Sequence, residues 1–196
     1  MLKVVDVITH YCIKEGIVKA DDAPWLRYGL EKRIATLLVG IPFFILAFTI
    51  SNFTCAIAFF ITYFYVKKYL GGYHAQTIWK CLLYSLLMEL AFLLIMPRLL
   101  ISLTFLVMLA GSVLIVLKLA PYNHPNLHLT KDEVIACRKQ GRKRIYISSL
   151  VAIVSWLAGL REFAKGCTIG IVMASTLLCL GYINEWRNIQ HERKND

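Results

Sequence analysis

Between residues 34 and 183 the chain alternates long apolar runs with short charged connections, and this segregation constrains the fold more than any single motif. The runs are Ile34–Ile50, Phe53–Val66, Cys81–Met96, Leu99–Leu119, Ile145–Leu160 and Gly166–Ile183. Only Glu89 and Lys118 place a charge inside them. Charged residues make up 17% of the chain, where a soluble domain carries about a quarter. The expectation is an all-α integral membrane bundle of about six transmembrane helices. Several runs fall short of the ~20 residues that cross a full hydrocarbon core. Snorkelling side chains at their ends and local bilayer thinning make up such a difference. Ser51-Asn52 supplies the turn that divides the first two runs.

Lysine and arginine counts give an orientation. Residues 1–33 hold six, 67–80 three, 118–144 seven and 184–196 three; the alternate connections hold only Arg98, Arg161 and Lys165. Basic residues are retained on the cytoplasmic side, so both termini and the 67–80 connection are expected there. The same rule explains the net charge of +10 without a nucleic-acid partner.

The first 33 residues scatter Lys3, Asp6, Lys14, Glu15, Asp21 and Asp22 among apolar positions, so no cleavable signal peptide is expected. Val4, Val7, Ile8 and Tyr11 recur at helical spacing and predict an amphipathic helix lying at the membrane interface. Asp21-Asp22-Ala23-Pro24 then predicts a break before a second short helix from about Trp25. The chain reads as one domain over 1–196, with interfacial helices at 1–33, a six-span region at 34–183 and a cytoplasmic tail at 184–196.

Cys55, Cys167 and Cys179 lie in apolar runs, where a thiol acts as a small hydrophobe. There is no CxxC pair, and His10, His124 and His128 share no ligand spacing, so neither a metal nor any other cofactor is expected.

Chemistry concentrates in Gly71-Gly72-Tyr73-His74-Ala75-Gln76-Thr77-Ile78-Trp79-Lys80-Cys81. Glycines at 71 and 72 readily interrupt a helix. The next helix is expected to start near His74–Thr77, with Cys81 in its first or second turn, where the helix N-terminus favours the reactive thiolate. Positions seven apart on one helix share a face but lie roughly 10 Å apart along the axis. His74 reaches Cys81 only if residues 71–76 fold back. From residue types alone two readings stand: a thiol nucleophile with its own base, or a packing cysteine and an interfacial histidine.

Gly71-Gly72-Tyr73-His74-Ala75 followed by Cys81 resembles the signature of the accessory gene regulator protein B (AgrB) family, the membrane cysteine endopeptidases of Gram-positive quorum sensing. The resemblance extends to Tyr28-Gly29-Leu30-Glu31 before the first span and to Ala120-Pro121 and Pro125-Asn126 opening a basic loop. It differs at Asn126-Leu127-His128, where the family would show a basic residue and a second proline. The resemblance implies a multi-pass protein of the cell membrane that cuts a small precursor peptide having an amphipathic leader and an acidic tail. By it, Cys81 is the nucleophile and His74 its base. Cys81 would retain the N-terminal part of the precursor as a thioester, which a thiol or hydroxyl of that peptide attacks to close a thiolactone or lactone. Excluding water favours ring closure over hydrolysis. The family also suggests a homodimer.

The cationic run Arg138-Lys139-Gln140-Gly141-Arg142-Lys143-Arg144 has two readings, topology alone or capture of the precursor's acidic tail. Lys67 and Lys68 before the diglycine would join the same surface. Glu89, a carboxylate inside an apolar run, is a functional candidate by default; it would orient a partner, line a wet cavity or bond across a helix interface. Gln76, Asn123 and Glu89 are candidates for a third residue orienting His74. A small transporter or peptide exporter is the competing function, and broken helices with an intramembrane carboxylate would suit it. Paired interruptions or symmetry between halves, which a transporter calls for, are not found in the sequence.

Overall fold

A computed structural model describes residues 2–71, 78–99, 102–122 and 130–195. Among them are seven α-helices and no strand: α1 Leu2–Lys14, α2 Ala23–Ile50, α3 Phe53–Leu70, α4 Ile78–Leu99, α5 Ser102–Leu119, α6 Lys131–Leu157 and α7 Arg161–Asn195. A single 3-10 turn, Ala20–Asp22, precedes α2. The six apolar runs fall one to a helix on α2 to α7. Among the described residues one helical stretch, Arg161–Arg187 in α7, is by length and composition long and apolar enough to cross a membrane; Gly40–Ile50, Leu83–Met96 and Leu103–Leu119 are shorter apolar stretches.

The chain divides into two compact units, 1–43 and 44–196. In the first, Asp6 of α1 pairs with Arg27 of α2 at 3.1 Å; both side chains are about half exposed, so the pair contributes little. Val5 and Thr9 are the buried positions of α1, while Val4, Val7, Ile8 and Tyr11 form an exposed apolar face. The separate short helix expected from Trp25 is instead the opening of α2. Pro24 occupies the first turn, where its missing N–H is not needed, and no strong helix breaker follows before Pro42. The division between units falls beside Pro42, which cannot donate to the carbonyl one turn earlier.

The turn at Ser51-Asn52 forms as the sequence predicts. Ser51 Oγ donates to Ala47 O at 2.7 Å and closes α2. Asn52 caps α3 by accepting from Cys55 N at 2.8 Å.

In the second unit α7 is the central helix, packing on α3, α4, α5 and α6; α6 also packs on α3 and α5. Its closest neighbour is α3, because Gly166 and Gly170 leave room for that helix's backbone. A methyl on Gly170 would lie 2.9 Å from Phe59 O and 2.9 Å from Tyr63 N, and one on Gly166 would collide with Cys55 O. This is the small-xxx-small contact typical of helices in lipid. Further toward the α7 N-terminus, Glu162 accepts from Asn52 Nδ2 at 2.9 Å and from Lys165 Nζ at 2.8 Å, tying the α3 cap to α7.

The exterior carries large exposed apolar side chains: Phe44, Ile45 and Phe48 on α2, Leu83, Leu87 and Leu94 on α4, Leu103, Leu106 and Val107 on α5, and Ile147, Leu150 and Val154 on α6.

Candidate active site

α3 stops at Gly71, whose φ of +68° belongs to the left-handed region that favours glycine. A side chain there would run into the carbonyl of Tyr122. Tyr122 N–H in turn donates to Leu70 O at 2.9 Å. The first of the two glycines is thereby fixed against Ala120-Pro121-Tyr122. Tyr182 of α7 locks this contact from behind: its hydroxyl donates to Leu119 O at 2.8 Å, and its ring meets that of Tyr122 edge-on at 5.0 Å. Burial, with Glu185 as a lesser cause, holds the Tyr122 phenol above its ordinary range. Lys67 Nζ donates to Gly71 O and completes the clasp.

The next described helix is α4, and Cys81 lies on it. His74, Gly72 and Gln76 lie outside the described residues, as do the side chain of Cys81 and the 123–129 segment with Asn123, His124 and His128.

Glu89, two turns further along α4, is fully buried. Among the described residues neither carboxyl oxygen has a hydrogen-bond partner. With Leu93 and Met96 it forms the buried stripe of α4, and α7 packs against this helix.

The cationic run occupies the first half of α6, which opens with a capping box: Thr130 Oγ1 accepts from Glu133 N at 3.3 Å, and Thr130 N donates to Glu133 Oε2 at 2.8 Å. The bond from the Thr130 backbone chiefly holds the Glu133 carboxyl below its usual range. Gly141 then sits directly on the end of α3, where an added methyl would be 3.4 Å from Leu70 and 3.6 Å from Tyr69 O. The run is thereby brought to within a turn of Gly71.

Its members are differently occupied. Arg144 donates to Tyr65 O at 2.7 Å, and its guanidinium lies 4.3 Å from the ring centres of both Tyr65 and Tyr69. Arg142 donates to Leu117 O at 3.3 Å near the end of α5. These cations meet carbonyl-rich helix C-termini, a favourable placement. Arg138, Lys139 and Lys143 are exposed, as is Lys68, whose ammonium stands 5.5 Å from the Tyr69 ring.

The structural partners Tyr65, Tyr69, Tyr122 and Tyr182 were not singled out by the sequence reading. The i, i+4 spacing of Tyr65 and Tyr69 just before the diglycine was the visible sign of the first pair. Tyr122 and Tyr182 carry no local signal, being sixty residues apart.

The family model described as Accessory gene regulator B matches residues 5–179, which is most of the chain. No curated protein and no solved structure matches the chain.

Proposed function

We propose a function from one premise: the chain belongs to the Accessory gene regulator B family. Membership is consistent with a role in maturing an accessory gene regulator peptide and with association with a membrane. On our reading the chain is a multi-pass cysteine endopeptidase of the cell membrane of a Gram-positive bacterium, with α2 to α7 as its six spans. The exposed apolar side chains of α2, α4, α5 and α6 support that reading, since a soluble protein seldom exposes apolar surface on this scale.

In this mechanism His74 takes the proton of the Cys81 thiol, and the thiolate attacks a backbone carbonyl of the precursor. The C–N bond breaks, His74 returns the proton to the leaving amine, and the N-terminal part stays on Cys81 as a thioester. A thiol or hydroxyl of the bound peptide then displaces Cys81 and closes the ring. One thioester replaces another in the thiolactone case, so the exchange is close to level in energy, and a site at the membrane surface limits competing water. Arg138, Lys139 and Lys143 face outward and suit an acidic tail.

The observation that carries the reading is the anchorage of the signature: Gly71 is clasped by Tyr122, Lys67 and the α7 side of the bundle, and Cys81 lies on the next described helix, α4. The test is co-expression with a candidate precursor and mass spectrometry of the peptide. Cys81→Ala and His74→Ala should abolish processing, and an acyl adduct should be trapped on Cys81. Unchanged processing by Cys81→Ala would sink the assignment.

A further inference from the structure

Arg144 and Lys68 are two cations held against one ring, that of Tyr69. Neither is paired with a carboxylate among the described residues. Arg144 is held by two aromatic faces and a carbonyl, so much of its rotamer freedom is gone before any ligand arrives. A fixed guanidinium and an exposed ammonium at the same ring are a good receptor for a phosphate.

Directly beneath this pair a groove of about 250 Å³ opens between α3, α6 and α7, lined by Ala58, Ile61, Tyr65, Ile147, Val151 and Cys167 among others. Its volume is below the roughly 300–1,000 Å³ of sites for drug-sized ligands. Tyr65 belongs to both features: it lines the groove, and its ring and carbonyl hold Arg144. The helices run antiparallel here, as Tyr65 meets Arg144 and Leu70 meets Gly141. The groove therefore leads from the cationic pair away from the diglycine end, along the bundle flank where Ile61, Ile147 and Val151 are exposed.

We propose that this juxtaposition, two unneutralised cations above an apolar groove with Tyr65 between them, is a binding site for one anionic phospholipid. The phosphate sits at Lys68 and Arg144, and an acyl chain lies in the groove. Basic pockets between membrane helices on the cytoplasmic side recognise anionic headgroups in this way. The groove favours a lipid over an acidic peptide, because a carboxylate-rich tail has nothing to place on Ile61, Ile147 and Val151. The inference rests on the membrane reading above. Occupancy would brace α3 against α6 next to Gly71.

The full chain, reconstituted in nanodiscs of palmitoyl-oleoyl phosphatidylglycerol and phosphatidylcholine, is released into detergent, and retained lipid is counted by native mass spectrometry. Phosphatidylglycerol should be retained about 30-fold over phosphatidylcholine, each cation contributing about fivefold. Lys68→Gln, at an exposed position, should lower that ratio about fivefold, and Arg144→Gln should lower it at least as far. Val151→Trp, which fills the groove from its exposed side, should lose retention with helicity unchanged by circular dichroism. Equal retention of the two lipids, or full retention by Val151→Trp, overturns the proposal. Displacement by inorganic phosphate alone overturns the acyl-chain part, and displacement by a soluble glutamate-rich peptide reassigns the site to a peptide. A chain that does not enter the nanodisc at all defeats the membrane reading itself, a distinct result.

Discussion

The backbone of Gly71 lies so close to the carbonyl of Tyr122 that no side chain fits between them. Two segments fifty residues apart in the chain are fixed to each other at the point where the signature begins. Replacing Gly71 by alanine adds a left-handed backbone penalty of about 1–2 kcal/mol and a collision with the carbonyl. Gly71→Ala should lower the melting temperature of the purified protein and reduce processing more than tenfold. A variant that melts and processes normally would show that the clasp is dispensable.

At Gly166 and Gly170 the same logic applies to the bundle core. A methyl at either position meets α3 backbone, and overpacking typically costs about 1–3 kcal/mol. Gly170→Ala should destabilise by an amount in that range, and Gly166→Ala by more, because a methyl there would press closer on Cys55 O than one on Gly170 would on Phe59 O. Detergent thermal unfolding gives the order directly.

Arg144 separates charge from shape. Lysine keeps the charge but lacks the planar face that lies over two tyrosine rings, so Arg144→Lys should lose roughly 1 kcal/mol of stability, an amount set by the two cation–π contacts. Stability equal to that of the native protein would mean the stacking is idle.

Glu89 is a buried carboxyl with two unpartnered oxygens. Such a group is retained against a penalty of about 1–3 kcal/mol. Glu89→Leu should therefore raise the melting temperature while lowering peptide processing, and Glu89→Gln should fall between. A leucine variant that is both more stable and fully active would assign Glu89 no functional role.

The start of α6 responds to pH in a known direction. Hydrogen bonds from Thr130 depress the Glu133 carboxyl, so its contribution is present above the unfolded carboxylate range and is lost as pH falls through the depressed folded value. Protection of the Glu133 and Val134 amides, taken relative to the intrinsic exchange rate at each pH, should fall on acidification below about pH 4, and Glu133→Gln should remove that pH dependence.

Much of the helix plan was legible in the sequence because its signals are local. Hydropathy located α2 to α7, Ser51-Asn52 located a cap, and the diglycine located the end of α3. The junction of the second N-terminal helix with the first apolar run was not legible, because Pro24 marks a helix start but says nothing of how far the helix continues. The clasp around Gly71 was invisible for another reason: Tyr122 and Tyr182 reach it through packing between distant segments. The cationic run was visible as charge, yet its division into Arg142 and Arg144, turned onto helix ends, and Arg138, Lys139 and Lys143, turned outward, follows from the register of α6 against α3.

The central position of α7 carries a consequence for biogenesis. It is the last of the described helices to leave the ribosome, yet it is the one on which α3, α4, α5 and α6 converge. Until it arrives, α3 to α6 lack the helix on which all four pack, and Gly71 lacks the brace that Tyr182 supplies. Assembly of the bundle and completion of its reactive end are therefore a single event, timed by the synthesis of the final helix.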